Sequence, residues 1–203
     1  MKNKVCGIIS LTLVVLQVVL IMASWIVTSA MPELAMRSLL SPEGVRWLFG
    51  HFIENMSSPL LVDIILLSVA FGAVSFSGLV DSVVAMAHCR KIRYFERVGL
   101  WVVVGEILTV VIVVVLLTCV PHAILLSVTG HLFPSNFSQS LIPIISITLL
   151  ACSISFGLVS GRLSSLSQCF EAMTYGLVRF AWVLPIYVFF MELLRSIQFV
   201  FYV

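Results

Sequence analysis

Charged side chains are scarce in this chain. Its 203 residues include 11 Lys and Arg and 9 Asp and Glu, which is 10% of the total, while 61% are hydrophobic. Soluble domains carry about 25% charged residues, and a chain of this size has too little interior to hide so much apolar sequence. The composition therefore excludes a soluble fold. The net charge of +2 gives no reason to expect nucleic acid as a partner.

Motifs for metal, cofactor and catalytic chemistry are also lacking. The five cysteines show no CxxC spacing and are odd in number, so neither a disulfide framework nor a zinc site is predicted. Walker loops, GxSxG, HExxH and dinucleotide fingerprints are missing. The short loops hold no combination of acid, base and nucleophile. We predict a protein that is not an enzyme and has no cofactor and no metal.

Long apolar runs are what the chain has in abundance. A helix needs about 20 apolar residues to cross a bilayer, and lipid accepts helices because they satisfy their own backbone hydrogen bonds. The sequence predicts an all-α polytopic membrane protein with a single transmembrane domain over residues 1–203. The five predicted spans are 5–30, 59–84, 98–120, 141–159 and 180–202.

Basic residues indicate the orientation of these spans. Short loops rich in Lys and Arg stay cytoplasmic, and three such regions alternate correctly to share one side. They hold 8 of the 11 basic residues: Lys2, Lys4, Arg90, Lys91, Arg93, Arg97, Arg162 and Arg179. We predict a cytoplasmic N-terminus and an integral protein of a bacterial inner membrane. The fifth run is the least certain span, since Glu192 and Arg195 could instead mark an interfacial or re-entrant segment.

Glu106 is the sharpest candidate for chemistry inside the membrane. A carboxylate in a span costs roughly 2.5 kcal/mol or more, so such residues usually face protein or a water-filled cavity. One interpretation is a proton- or cation-linked group. The other, which we favour, is a packing carboxyl that binds a neighbour such as a serine of the fourth span. In either case Glu106 is predicted to face protein rather than lipid.

Two further features lie in the fifth run. Glu192 and Arg195 are three residues apart, so they share a helix face and could form an internal ion pair. Pro185 removes a backbone hydrogen bond and could kink this helix. Transporters use broken helices at binding sites, although proline is also tolerated in ordinary spans.

Small residues recur every four positions in the fourth run, at Ser153, Gly157 and Gly161. Such a ladder allows another helix to approach closely. Packing within the chain and packing between copies fit this pattern equally well.

The loop over residues 31–58 has the pattern of an amphipathic helix at 42–56. Ser41 would cap it, Pro42 would take its first position and Glu43 its first turn. Within this segment, Asn55-Met56-Ser57 is a formal glycosylation sequon.

Two parts of the chain resemble the aminobenzoyl-glutamate transporter (AbgT) family. Residues 37–49, RSLLSPEGVRWLF, are similar to the loop after that family's first span. Residues 59–79 resemble its second span, and Asn55 resembles the Asn that precedes that span. A weaker similarity covers residues 126–130, 135–137 and 156–165. The resemblance implies a dimeric secondary transporter that carries a small organic anion with a coupling cation.

The chain departs from that family in the transport core. Family members are about twice as long, and the two helical hairpins of their substrate region have no clear counterpart in this sequence, so no binding residue can be carried over. Two functions remain open: a shortened transporter of aminobenzoyl-glutamate-like anions, or a non-transporting accessory or scaffold that binds a partner through its helices.

Overall fold

The structure is a computed structural model that describes residues 2–31, 33, 35–88, 90–119 and 136–201. Within these residues the regular elements are all helices, which confirms the all-α prediction. They are α1 (Lys2–Ala30), α2 (Pro42–Gly50), α3 (Phe52–Met56), α4 (Pro59–Ser77), α5 (Leu79–Ala87), α6 (Tyr94–Cys119), α7 (Asn136–Val159), α8 (Leu166–Phe180) and α9 (Val183–Phe201).

Five of these helices are long and apolar enough to cross a membrane. Their apolar segments are Lys4–Ala30, Pro59–Ser77, Tyr94–Thr118, Ser140–Val159 and Val183–Phe201. Each corresponds to one predicted span, and the chain is therefore an integral membrane protein. Large apolar side chains are exposed along all five helices, as expected of surfaces that face acyl chains rather than water.

The second predicted span, 59–84, is divided in the structure. Helix α4 ends at Ser77, Gly78 takes a left-handed conformation with φ of 69°, and α5 begins at Leu79. Glycine adopts this conformation without the Cβ clash that other residues suffer. The apolar run is continuous across Gly78, so composition alone could not reveal the break.

The fifth predicted span, 180–202, begins later than expected. Phe180 is the last residue of α8, an amphipathic helix that the span prediction left out, and α9 starts at Val183. Pro185 is thus the third residue of its helix, where a backbone N–H has no intrahelical partner to lose. Pro185 therefore removes no hydrogen bond from α9, as in the alternative of a proline tolerated in an ordinary span. Among the described helices, α7 carries a proline in its interior, Pro143.

The described residues form two compact units, and the predicted single domain stays a prediction. The first unit comprises Met1–Val62 and Phe180–Val203. In it α1 packs against α9, with Gln17 Nε2 donating to Ser196 Oγ at 2.7 Å. Farther along both helices, the N–H of Leu39 donates to Ser24 Oγ of α1 at 3.2 Å, and the N–H of nearby Arg37 donates to the Val200 carbonyl of α9 at 3.1 Å. The two contacts follow the same order in both helices, so α1 and α9 run parallel.

The second unit comprises Asp63–Arg179 and is built on α6 and α7. Leu100 and Val103 near the start of α6 pack against Cys152 and Phe156 near the end of α7. The two helices are therefore antiparallel. Elsewhere in this unit α4 and α8 approach so closely that a Cβ at Gly72 would overlap the backbone of Gly176.

Candidate functional site

Polar side chains from three helices meet inside the first unit. We call Gln17 of α1, Asn55 of α3, and Glu192, Arg195 and Ser196 of α9 the polar cluster. Asn55 is 6% exposed and Ser196 is fully buried. Glu192, Arg195 and Ser196 share one face of α9 because they are spaced by one helical turn.

Glu192 is the acidic member of the polar cluster. Both of its carboxylate oxygens are shielded and have no hydrogen-bond partner among the described residues. The Asn55 amide lies beside this carboxyl group, and its Nδ2 likewise makes no hydrogen bond to the described residues. A buried carboxylate without a partner is costly, so this position favours whatever neutralises it: a proton or a bound cation.

Arg195 does not form the predicted ion pair with Glu192, and that expectation was wrong. Its Nη1 donates to Gln198 Oε1 at 2.9 Å, while its buried Nε has no partner in the described ranges. The guanidinium extends toward the next turn, where Gln198 offers an acceptor. The three-residue spacing correctly predicts that Glu192 and Arg195 share a helix face. Which acceptor the Arg195 guanidinium binds, Gln198 or Glu192, depends on side-chain rotamers.

The rest of the polar cluster is partly satisfied. Gln17 donates to Ser196, but its Oε1 accepts no hydrogen bond from any residue that the structure describes. The hydroxyl of Tyr187, which precedes Glu192 in α9, is satisfied as both donor and acceptor. It donates to the Met56 carbonyl at 2.8 Å and lies 2.7 Å from Ser58 Oγ. A carboxylate, an amide and a guanidinium N–H therefore remain without hydrogen-bond partners in the part of the chain that the structure describes.

Sequence analysis missed Gln17 and Asn55 as members of this cluster. Gln17 had a detectable signal, because a long amide side chain is unusual within an uncharged span. Asn55 was noted as a sequon residue, but its burial prevents modification of the folded protein. Its position beside Glu192, 137 residues later, is a tertiary contact that no local pattern encodes.

Glu106 belongs to the second unit, where it lies at the contact between α6 and α7. The Cys152 thiol of α7 is its neighbour, in place of the serine that we expected. The carboxylate Oε2 is buried and has no hydrogen-bond partner within the described part of the chain. The side chain thus faces a helix interface, and its surroundings are those of a packing residue.

The small-residue ladder of α7 is used within the chain. Ser153 is buried and donates to the Leu149 carbonyl of its own helix at 2.5 Å. A Cβ at Gly157 would overlap the side chain of Leu163, which folds back over this position. Gly161 has a φ of 72° and lies just past the end of α7. Gly157 and Gly161 therefore shape the end of α7, and the close contact between helices forms at Gly72 and Gly176 instead.

Arg162 has a structural role beyond its positive charge. Its Nη2 lies 3.0 Å from Glu96 Oε1, and its Nη1 is 3.4 Å from the Ser77 carbonyl. Glu96 is in the first turn of α6 and Ser77 is the last residue of α4. One guanidinium therefore joins the end of one helix to the start of another.

The predicted capped helix of the 31–58 loop is α2. Ser41 Oγ accepts a hydrogen bond from the Gly44 N–H at 3.0 Å, but the helix ends at Gly50 and α3 follows after His51. Beside α2 is an open cavity of about 710 Å³, to which charged and aromatic residues contribute. In it Trp47 stacks on Phe199 at 4.5 Å, and Arg37 pairs with Glu43 at 3.3 Å.

Comparisons with models of protein families, with curated proteins and with solved structures found no match to this chain. The similarity to the AbgT family stays a prediction, and residues 126–130 and 135, which carry part of it, lie outside the described residues. Function must therefore be argued from the two units and their polar groups.

Proposed function

We propose that the protein is a shortened AbgT-type secondary transporter, which moves a small organic anion across a bacterial inner membrane together with a coupling cation. The observation that carries this proposal is the buried, unpartnered carboxylate of Glu192 beside the unpartnered Asn55 amide. Ionisable residues inside membranes are expensive, and they mark ion and substrate pathways. The similarity of residues 37–49 and 59–79 to the family supports the same class of function.

The polar cluster suggests how anion and cation could be coupled. A cation or proton at Glu192 would remove an uncompensated negative charge, while the free Nε–H of Arg195 would be a donor for an anionic group. Each ligand would lower the cost of burying the other, because a pair of opposite charges is easier to bury than one alone. Since the sequence has no clear counterpart of the family's hairpins, we propose that the chain works as a homo-oligomer, with a dimer implied by the resemblance.

Uptake of labelled aminobenzoyl-glutamate into proteoliposomes tests this proposal. We expect uptake driven by a proton or sodium gradient, and we expect Glu192→Gln to abolish its dependence on that gradient. Glu106→Gln is the matched control, since it makes the same change in the packed interface of α6 and α7, and it should retain gradient dependence. Uptake no greater than in empty liposomes would contradict transport of this substrate.

A non-transporting scaffold is the second candidate. It is favoured by Glu106, which packs against Cys152 instead of lining a route for ions. In this case the apolar side chains exposed along the spans would pack against a partner helix. The two functions separate in one experiment: a scaffold would give no uptake, yet would copurify with one partner in fixed stoichiometry.

A further inference from the structure

A narrow groove lies between α5 and the start of α6 in the second unit. Its volume is about 330 Å³, and its lining residues are Met86, Arg97, Leu100, Trp101 and Val104. The α6 residues among them are spaced by one helical turn, so they form a single strip along the helix. From Arg97 to Val104 this strip rises by about 10 Å.

The groove has a free cation at one end. Arg97 is exposed, and among the described residues its guanidinium has neither an ion-pair nor a hydrogen-bond partner. The preceding carboxylate, Glu96, is bound to Arg162. Arg90, Lys91 and Arg93 precede Arg97 in the sequence and are also exposed. This end of the groove therefore has a surplus of positive charge.

The other end of the groove is apolar and faces outward. Trp101 is 71% exposed, and about half of the surface of Met86 and Val104 is accessible. Tyr94 and Phe95, at the start of the same helix, are also strongly exposed. Aromatic residues beside basic ones at the end of a span are typical of the membrane–water interface. The strip thus runs from the headgroup level toward the acyl chains.

We propose that this groove is a binding site for one anionic phospholipid, with the phosphate on Arg97 and an acyl chain along Trp101 and Val104. A guanidinium binds phosphate oxygens through paired N–H donors. A headgroup with net negative charge is preferred over a zwitterionic one, because the latter brings its own ammonium group to a region that is already basic. The proposal does not depend on transport.

Quenching of Trp101 fluorescence by brominated lipid tests the site. In a chain with Trp25, Trp47 and Trp182 replaced by Phe, Trp101 is the single reporter. The chain is reconstituted into liposomes of phosphatidylglycerol and phosphatidylcholine, with bromine on one lipid or on the other and the composition unchanged. We expect stronger quenching when the bromine is on phosphatidylglycerol. Equal quenching by the two lipids, or none by either, would overturn the proposal.

Variants separate the groove from the general charge of its surroundings. We expect Arg97→Gln to reduce the preference for phosphatidylglycerol about fivefold, which is the contribution of one base near a membrane surface. Lys91→Gln makes the same charge change outside the groove and should leave most of the preference, as should Arg97→Lys, which retains the cation. Equal losses in Arg97→Gln and Lys91→Gln would show a diffuse charge effect and contradict the site.

Added inorganic phosphate distinguishes a lipid site from a phosphate site. A phospholipid held by both ends should resist competition from the aqueous phase, so quenching should not change. Loss of the phosphatidylglycerol preference on adding phosphate would show that the acyl chain contributes nothing, and would also overturn the proposal.

Discussion

Two glycines with the same backbone conformation meet different surroundings in this protein. Gly78 has a φ of 69° and Gly161 a φ of 72°. A Cβ at Gly78 would overlap the Arg162 guanidinium, whereas a Cβ at Gly161 would meet open space. The two positions separate the cost of backbone conformation from the cost of displacing a neighbour.

Alanine at these positions should destabilise the protein unequally. Gly161→Ala should lower the free energy of unfolding by about 1 kcal/mol, the cost of a left-handed conformation for an L-residue. Gly78→Ala should cost more, because Arg162 must also leave Glu96 and the Ser77 carbonyl. Thermal unfolding in detergent measures both. Gly105→Ala is the control: it lies inside α6 with nothing near its Cβ, and it should not destabilise.

At the scale of helices, the contact between α6 and α7 depends on one aromatic side chain. Phe156 is fully buried and packs with Leu100, Val103 and Cys152. Helices in membranes associate through close packing, since lipid is as apolar as their side chains. Truncating a side chain that fills this contact therefore removes much of what holds the pair together.

Phe156→Ala should lower the free energy of unfolding in detergent by about 3 kcal/mol, the lower end for loss of a packed phenylalanine. Phe170→Ala makes the same chemical change at a side chain that is 68% exposed and should have little effect. A similar loss in both variants would contradict the assignment of Phe156 to the centre of this contact.

Apolar length predicted where helices exist, but not where they end or what they contact. The runs at 5–30, 98–120 and 141–159 correspond to α1, α6 and α7, because uninterrupted apolar sequence in lipid has few alternatives to helix. The break at Gly78 was hidden because its stabilising contact, Arg162, lies far along the chain. The surroundings of Glu192 were hidden for the same reason: side-chain rotamers place the Arg195 guanidinium on Gln198, and tertiary packing places Asn55 beside Glu192.

At the scale of the whole chain, the distribution of basic residues makes the orientation testable. In a chain whose native cysteines are replaced by alanine, Lys91→Cys and Phe49→Cys each place one thiol at an exposed position; Phe49 is 78% exposed. With the N-terminus cytoplasmic, an impermeant maleimide should label Phe49→Cys in intact cells, and Lys91→Cys only after the membrane is opened. The reverse pattern would show an inverted topology.

The parallel contact between α1 and α9 has a consequence for biogenesis. Gln17 and Ser196 are 179 residues apart, and translation adds roughly 5–20 residues per second. Helix α1 is therefore made roughly 10–35 seconds before the helix that carries its hydrogen-bond partner. During that interval the Gln17 amide is open to solvation by the insertion machinery or by a second copy of the chain. The first unit is completed after the second, although its sequence begins before it.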